Sequence, residues 1–238
     1  MPRYAAVDIG SNSVRMMAAE VSGRRTQILA EDRQVTRLGE SVFRTGRISE
    51  EALTFLCANL AKMAGVYGRL SVVGVRAVAT SAVRDASNQD EFLQRTSAAL
   101  GTNVEIISVA EEARLIHLGV EARWPRPKER TLIIDVGGGS AEIIVSQNGQ
   151  LIDAVSKPLG AVRLTEVFLK TDLPTDDELR RLHAYIEEKM APFHRTHGQE
   201  KFQRAVVTSA TAGAIVSAAN GISRAKRDEA DRVCARAP

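Results

Sequence analysis

Residues 4–9 and 14–21 are short β-rich pieces, and residues 26–30 form another after a Ser22-Gly23 turn. The chain therefore opens as a β meander whose first turn is Gly10-Ser11-Asn12-Ser13. From Ser49 the pattern changes: Leu53, Leu56, Leu60 and Met63 fall three or four residues apart behind an N-cap serine, which predicts a helix. A strand over 70–78, a helix over 88–100 with Asn88 and Glu91 at capping-box spacing, a strand over 103–108 and a helix over 111–122 follow.

The stretch 123–130, RWPRPKER, carries two prolines and five charges and continues neither a helix nor a central strand. It predicts a linker between a first domain, 1–122, and a second, 131–238. Strand patterns return at 131–136, 141–147 and 151–156, with Asn148-Gly149 as the turn between the last two. Thr175 and Glu178 form a capping box opening a helix to about 194, before a strand over 205–208 and a small-residue helix over 211–220. The last residues, 223–238, are charged and are expected to hang loose or pack only partly.

The two halves repeat one another. Val7-Asp8-Ile9-Gly10-Ser11-Asn12-Ser13 returns 127 residues later as Ile134-Asp135-Val136-Gly137-Gly138-Gly139-Ser140, and each copy leads into a second strand that ends in a glycine turn. One such turn alone reads as an ordinary hairpin. Two copies read as phosphate grips: an Asp ends a buried strand, and the residues after it, free to take positive φ, offer backbone N–H groups and a hydroxyl to an anion. The two Asp carboxylates, Asp8 and Asp135, suit a hard divalent cation that screens neighbouring phosphates.

Four segments resemble the exopolyphosphatase and guanosine pentaphosphate phosphohydrolase family, a branch of the actin, sugar kinase and heat-shock chaperone superfold. They are AAVDIGSNSVRM (5–16), VATSAVRDASN (78–88), VEIISVAEEARLIHLGV (104–120) and LIIDVGGGSAEIIV (132–145), and they run in family order. The resemblance implies an α/β protein of two ribonuclease-H-like, actin-like domains with an interdomain cleft, and release of terminal phosphate from inorganic polyphosphate or guanosine pentaphosphate with Mg²⁺. It assigns Glu112 as the base that activates water and Glu142 as a supporting carboxylate. Gly10, Asn12, Ser13, Arg84, Gly137, Gly138, Gly139 and Ser140 would hold phosphate, and Asp8 and Asp135 the metal.

Each assignment has a plainer competitor. Glu111 and Glu112 in a first helical turn suit the helix dipole, and Arg84 could pair with Asp85 or Asp90. Where the family carries a further glycine-rich turn, this chain has Val207-Thr208-Ser209-Ala210-Thr211-Ala212-Gly213, so phosphate contact there is not expected. The second domain reads as incomplete, and an open sheet edge there would seek a subunit, a homodimer being the simplest assembly.

Composition narrows the classes. With 238 residues, 44% hydrophobic and 26% charged, the chain supports a real core. Its net charge of +3 comes from interspersed signs, which argues against a dedicated nucleic-acid binder. Cys57 and Cys234 lie far apart with no ligand spacing, and no apolar run approaches a membrane span, so a cytoplasmic setting is expected. A kinase of the same superfold and a non-catalytic phosphate-binding protein remain as alternatives.

Overall fold

The computed structural model describes residues 1–23, 25–125 and 128–223. Residues 126–127 of the expected linker and 224–238 of the charged end lie outside the described residues. The chain divides into two compact units, Met1–Ser108 and Val109–Pro238.

The first unit contains β1 (Arg3–Ile9), β2 (Ser13–Ser22), β3 (Arg25–Val35), α1 (Leu38–Thr45), α2 (Glu50–Arg69), β4 (Gly74–Ala79), α3 (Ser81–Asp85), α4 (Gln89–Leu100) and β5 (Val104–Ile106). Its sheet has the order β3-β2-β1-β4-β5, with the first three strands antiparallel and β4 and β5 parallel to β1. Alternation along β1 buries Ala5, Val7 and Ile9, and these pack with Leu53, Leu56, Leu60 and Met63 of α2 and Phe92 of α4. Ser49 caps α2 by accepting the Ala52 N–H. Asn88 does not cap α4 in this way; its side chain instead pairs with both backbone groups of Ile48 and with Glu91, tying α4 to the segment before α2.

The second unit contains α5 (Val109–Arg123), β6 (Arg130–Val136), β7 (Ala141–Gln147), β8 (Gln150–Lys157), α6 (Ala161–Phe168), α7 (Asp176–His197), β9 (Arg204–Thr208) and α8 (Ser209–Ala219). Its sheet order, β8-β7-β6-β9, repeats the first four strands of the other sheet in the same directions. Its apolar cluster is small and includes Ala113, Val120, Ile133, Ile144 and Val206. Asn148 and Gly149, both at positive φ, form the β7–β8 turn, and Thr175 with Glu178 forms the capping box of α7.

The division falls before α5, whereas the proline-rich stretch pointed to 123–130. Ala113 and Val120 belong to the second unit's apolar cluster, so α5 folds with β7 and β8. Three short helices, α1, α3 and α6, stand where the hydrophobic pattern predicts none. Among the described residues no helix is long and apolar enough to cross a membrane.

Candidate active site

The repeated turns share one backbone geometry. Gly10 N–H donates to the Ser13 carbonyl at 3.0 Å, and Gly137 N–H donates to the Ser140 carbonyl at 3.0 Å. The positive-φ glycines are Gly23, Gly46, Gly101, Gly149 and Gly221, so the turn glycines serve a purpose other than left-handed backbone. Close approach requires glycine at a neighbouring position. A Cβ on Gly160 would lie 2.3–2.4 Å from backbone atoms of Gly138 and Gly139, a contact that only glycine permits.

Each turn is held by the segment that opens the next short helix. In the first unit Thr36 and Arg37 N–H donate to the Asn12 carbonyl and Gly39 N–H to the Ser11 carbonyl, just where α1 begins. In the second, Ala161 and Arg163 N–H donate to the Gly137 and Gly138 carbonyls at the start of α6, and Arg163 Nε donates to the Gly139 carbonyl at 2.7 Å. Gly160 and Arg163 were not anticipated. The pair Leu38-Gly39 and Leu159-Gly160 carries a signal for both helices: a buried leucine followed by a glycine, just beyond a third strand, occurs once in each half.

Two carboxylates act on a third in the second unit. Glu142 is 1% exposed, and burial, followed by the charges of Glu112 and, more weakly, Asp135, pushes its pKa up to about 7. Hydrogen bonds from Ser156 and Ser140 oppose that rise; Ser156 Oγ donates to Glu142 Oε1 at 2.8 Å. The burial follows from sequence. Alternation places Ser140, Glu142, Ile144 and Ser146 on one face of β7; Ala113 of α5 packs with Ile144, and His117 of α5 meets Ser146 Oγ at 3.1 Å. Burial lowers the His117 pKa.

The two glutamates that open α5 separate in role. Glu111 takes a two-pronged ion pair from Arg114 at 2.7 and 2.9 Å, while Glu112 bears on Glu142. Asp135 accepts a hydrogen bond from Thr208 Oγ1, and Ser209 Oγ donates to the Val136 carbonyl. Thr208 and Ser209 thus tie the start of α8 to the end of β6, with Ser209 at φ 83, the left-handed region that favours glycine. In the first unit the tie has another form: Ser11 Oγ accepts from Ala82 N–H at 3.2 Å. Arg84 Nη1 donates to the Ile107 carbonyl at 2.9 Å, which holds the strand end that leads into α5. Asp8 is exposed at the end of β1.

Among the described residues no three His, Cys, Asp or Glu side chains form a ready metal cage. Asp135, Glu142 and Glu112 nevertheless offer hard oxygen donors, and the negative charges that Glu112 and Asp135 direct at Glu142 are what a bound cation would offset.

The Ppx/GppA phosphatase family model matches residues 16–235. Exopolyphosphatase 2 of Mycobacterium tuberculosis is 34% identical over 206 residues, which cover 82% of this chain and 64% of that protein. A guanosine-5'-triphosphate,3'-diphosphate pyrophosphatase of Aliivibrio fischeri is 30% identical over 214 residues, or 90% of this chain and 43% of that protein. The chain therefore spans about half to two thirds of the length of these relatives. The Aquifex aeolicus PPX-GPPA enzyme superposes with a TM-score of 0.75 at 31% identity, over 92% of this chain and 72% of that one. With the repeated sheet and its two turns, these matches establish an actin-like α/β fold and place the chain in the Ppx/GppA phosphatase family.

Proposed function

We propose that this chain carries the hydrolytic site of a phosphoanhydride hydrolase that releases terminal phosphate from inorganic polyphosphate or guanosine pentaphosphate. The observation that carries this reading is the grouping of Glu112, Glu142 and Asp135 beside the Gly137-Gly138-Gly139-Ser140 turn within one unit. The relatives, an exopolyphosphatase and a guanosine-5'-triphosphate,3'-diphosphate pyrophosphatase, support the substrate class.

In this reading Glu112 accepts a proton from water as the water oxygen forms its bond to the terminal phosphorus and the bridging P–O bond breaks toward the leaving phosphate. Glu142 holds the water and shares its charge balance with Glu112. In each unit the glycine turn offers N–H groups to phosphate oxygens, with Asn12 and the Ser13 hydroxyl in the first and the Ser140 hydroxyl in the second, and Arg84 offers phosphate a positive charge in the first. Asp135 would hold Mg²⁺, which would supply charge neutralisation on the phosphates.

The test is phosphate release from polyphosphate and from guanosine pentaphosphate, side by side, with Mg²⁺ supplied or chelated. The expected result is Mg²⁺-dependent release without an added acceptor. Transfer only to an acceptor would favour a kinase, and tight phosphate binding without turnover would favour a non-catalytic binder.

A further inference from the structure

The second unit's sheet places four polar residues in one register row across its strands: Thr208 on β9 opposite Asp135 on β6, Asp135 opposite Glu142 on β7, and Glu142 opposite Ser156 on β8. Directly paired residues share a face of the sheet, so the row is hydroxyl, carboxylate, carboxylate, hydroxyl. Each outer hydroxyl donates to its inner neighbour, Ser156 Oγ to Glu142 Oε1 at 2.8 Å and Thr208 Oγ1 to Asp135 Oδ2.

A carboxylate has two oxygens, and a fixed donor on one sets the direction of the other. We propose that Ser156 and Thr208 are positioning residues that orient Glu142 and Asp135 toward cation and water, an inference that rests on the hydrolytic reading of this site. Neither residue touches the reacting atoms in this account; each acts through the carboxylate that it holds.

Two further observations support the assignment. Four residues beyond Ser156 the same segment brings Gly160 against the backbone of Gly138 and Gly139, so β8 and its continuation fix both the carboxylate row and the turn. On the other side Ser209, next to Thr208, stays in the left-handed region while donating to the Val136 carbonyl one residue past Asp135. Serine holding a position that favours glycine keeps Thr208 and Ser209 both bonded to the end of β6.

The experiment uses the full chain and the variants Ser156→Ala, Ser156→Thr, Thr208→Val and Thr208→Ser. Three quantities are read: Mg²⁺ affinity by calorimetry with inorganic phosphate present, kcat and KM on polyphosphate, and Tm. Loss of either hydroxyl should weaken Mg²⁺ binding and lower kcat by about 10- to 100-fold, with KM and Tm little changed. The hydroxyl-retaining partners Ser156→Thr and Thr208→Ser should recover most of the loss, which a purely structural role would not produce.

A wild-type chain that releases no phosphate would remove the hydrolytic reading, and the cation titration would still decide the positioning role. Unchanged Mg²⁺ affinity in both Ser156→Ala and Thr208→Val overturns the inference. So does a loss that follows Tm and is not restored by the hydroxyl-retaining variants, or a wild-type chain that binds no Mg²⁺ with phosphate present.

Discussion

From β4 to β3, the row through Asp8 in the first unit reads Val78, Asp8, Arg15 and Arg33; from β9 to β8, the row through Asp135 reads Thr208, Asp135, Glu142 and Ser156. The backbones are alike, down to the hydrogen bond that closes each turn. The side chains are not. Arg15 is exposed, while its counterpart Glu142 lies buried on the face of β7 that α5 covers. One copy of the hairpin keeps a basic, solvated row, and the other collects carboxylates in a low-dielectric setting where the proton affinity of Glu142 rises. In the proposed reading, duplication supplies two phosphate grips, and burial of one row makes it a place for proton chemistry.

The largest expected effect that sharpens this contrast is on Glu142. Its raised pKa means that folding favours the protonated form: the stabilisation is complete below the ordinary carboxylate range and is lost as pH rises through about 7. With Mg²⁺ chelated, Glu142→Gln should therefore stabilise the protein at pH 8 by on the order of 1–3 kcal/mol and do little at pH 4, while hydrolysis falls. Arg15→Gln should leave stability at both pH values nearly unchanged. A Glu142→Gln protein no more stable at pH 8 than the wild type would break the argument from burial.

The paired glycines give an effect of comparable size on stability. An alanine at Gly160 meets backbone at 2.3–2.4 Å, whereas at Gly39 the nearest atom, 2.6 Å away, is the Phe43 ring, which can turn aside. Gly160→Ala should cost about 1–3 kcal/mol and Gly39→Ala clearly less, measured by denaturant unfolding. Equal costs would mean that the first turn is packed as tightly as the second.

These glycines also mark the limit of what is legible in the sequence. The strands, the 127-residue repeat, both Asp residues and the glycine turns follow from short β-rich pieces between turns and from motif order. The helices α1 and α6 have only 8 residues each, too short for a helical period to emerge, although Leu-Gly at 38–39 and 159–160 flags them. The prolines near 125 suggested a boundary, yet Ala113 and Val120 of α5, read as part of the first half, pack with Ile144. Ser156 and Thr208 could not be read at all, since their meaning comes from register between strands far apart in the chain.

The smallest predicted effect lies at the far end of the second sheet. His197, at the end of α7, meets Asp153 of β8 at 2.8 Å and Glu200 at 3.0 Å, with Phe193 stacked against its ring; Glu200 also pairs with Arg130 at 2.6 Å. The Asp153 hydrogen bond, with help from Glu200, raises the His197 pKa. The stabilisation is then complete below the ordinary histidine value and is lost as pH rises through the higher folded value. Amide exchange in α7 and β8 should speed up modestly on going from pH 6 to pH 8, after correction for intrinsic rates, and His197→Gln should remove that pH dependence. The apolar core under β1 should show no such trend. A first unit that loosens equally over this range would erase the contrast.

In the proposed mechanism the second unit's carboxylates carry the proton chemistry, while Arg15, the counterpart of Glu142 in the first unit, does not. Initial rates of phosphate release from polyphosphate at saturating Mg²⁺, for wild type, Glu112→Gln and Arg15→Ala, test it most directly. Glu112→Gln should lose about 10²- to 10⁴-fold in kcat while still binding polyphosphate, and Arg15→Ala should retain kcat. Near wild-type turnover in Glu112→Gln, or an equal loss in Arg15→Ala, would contradict the account.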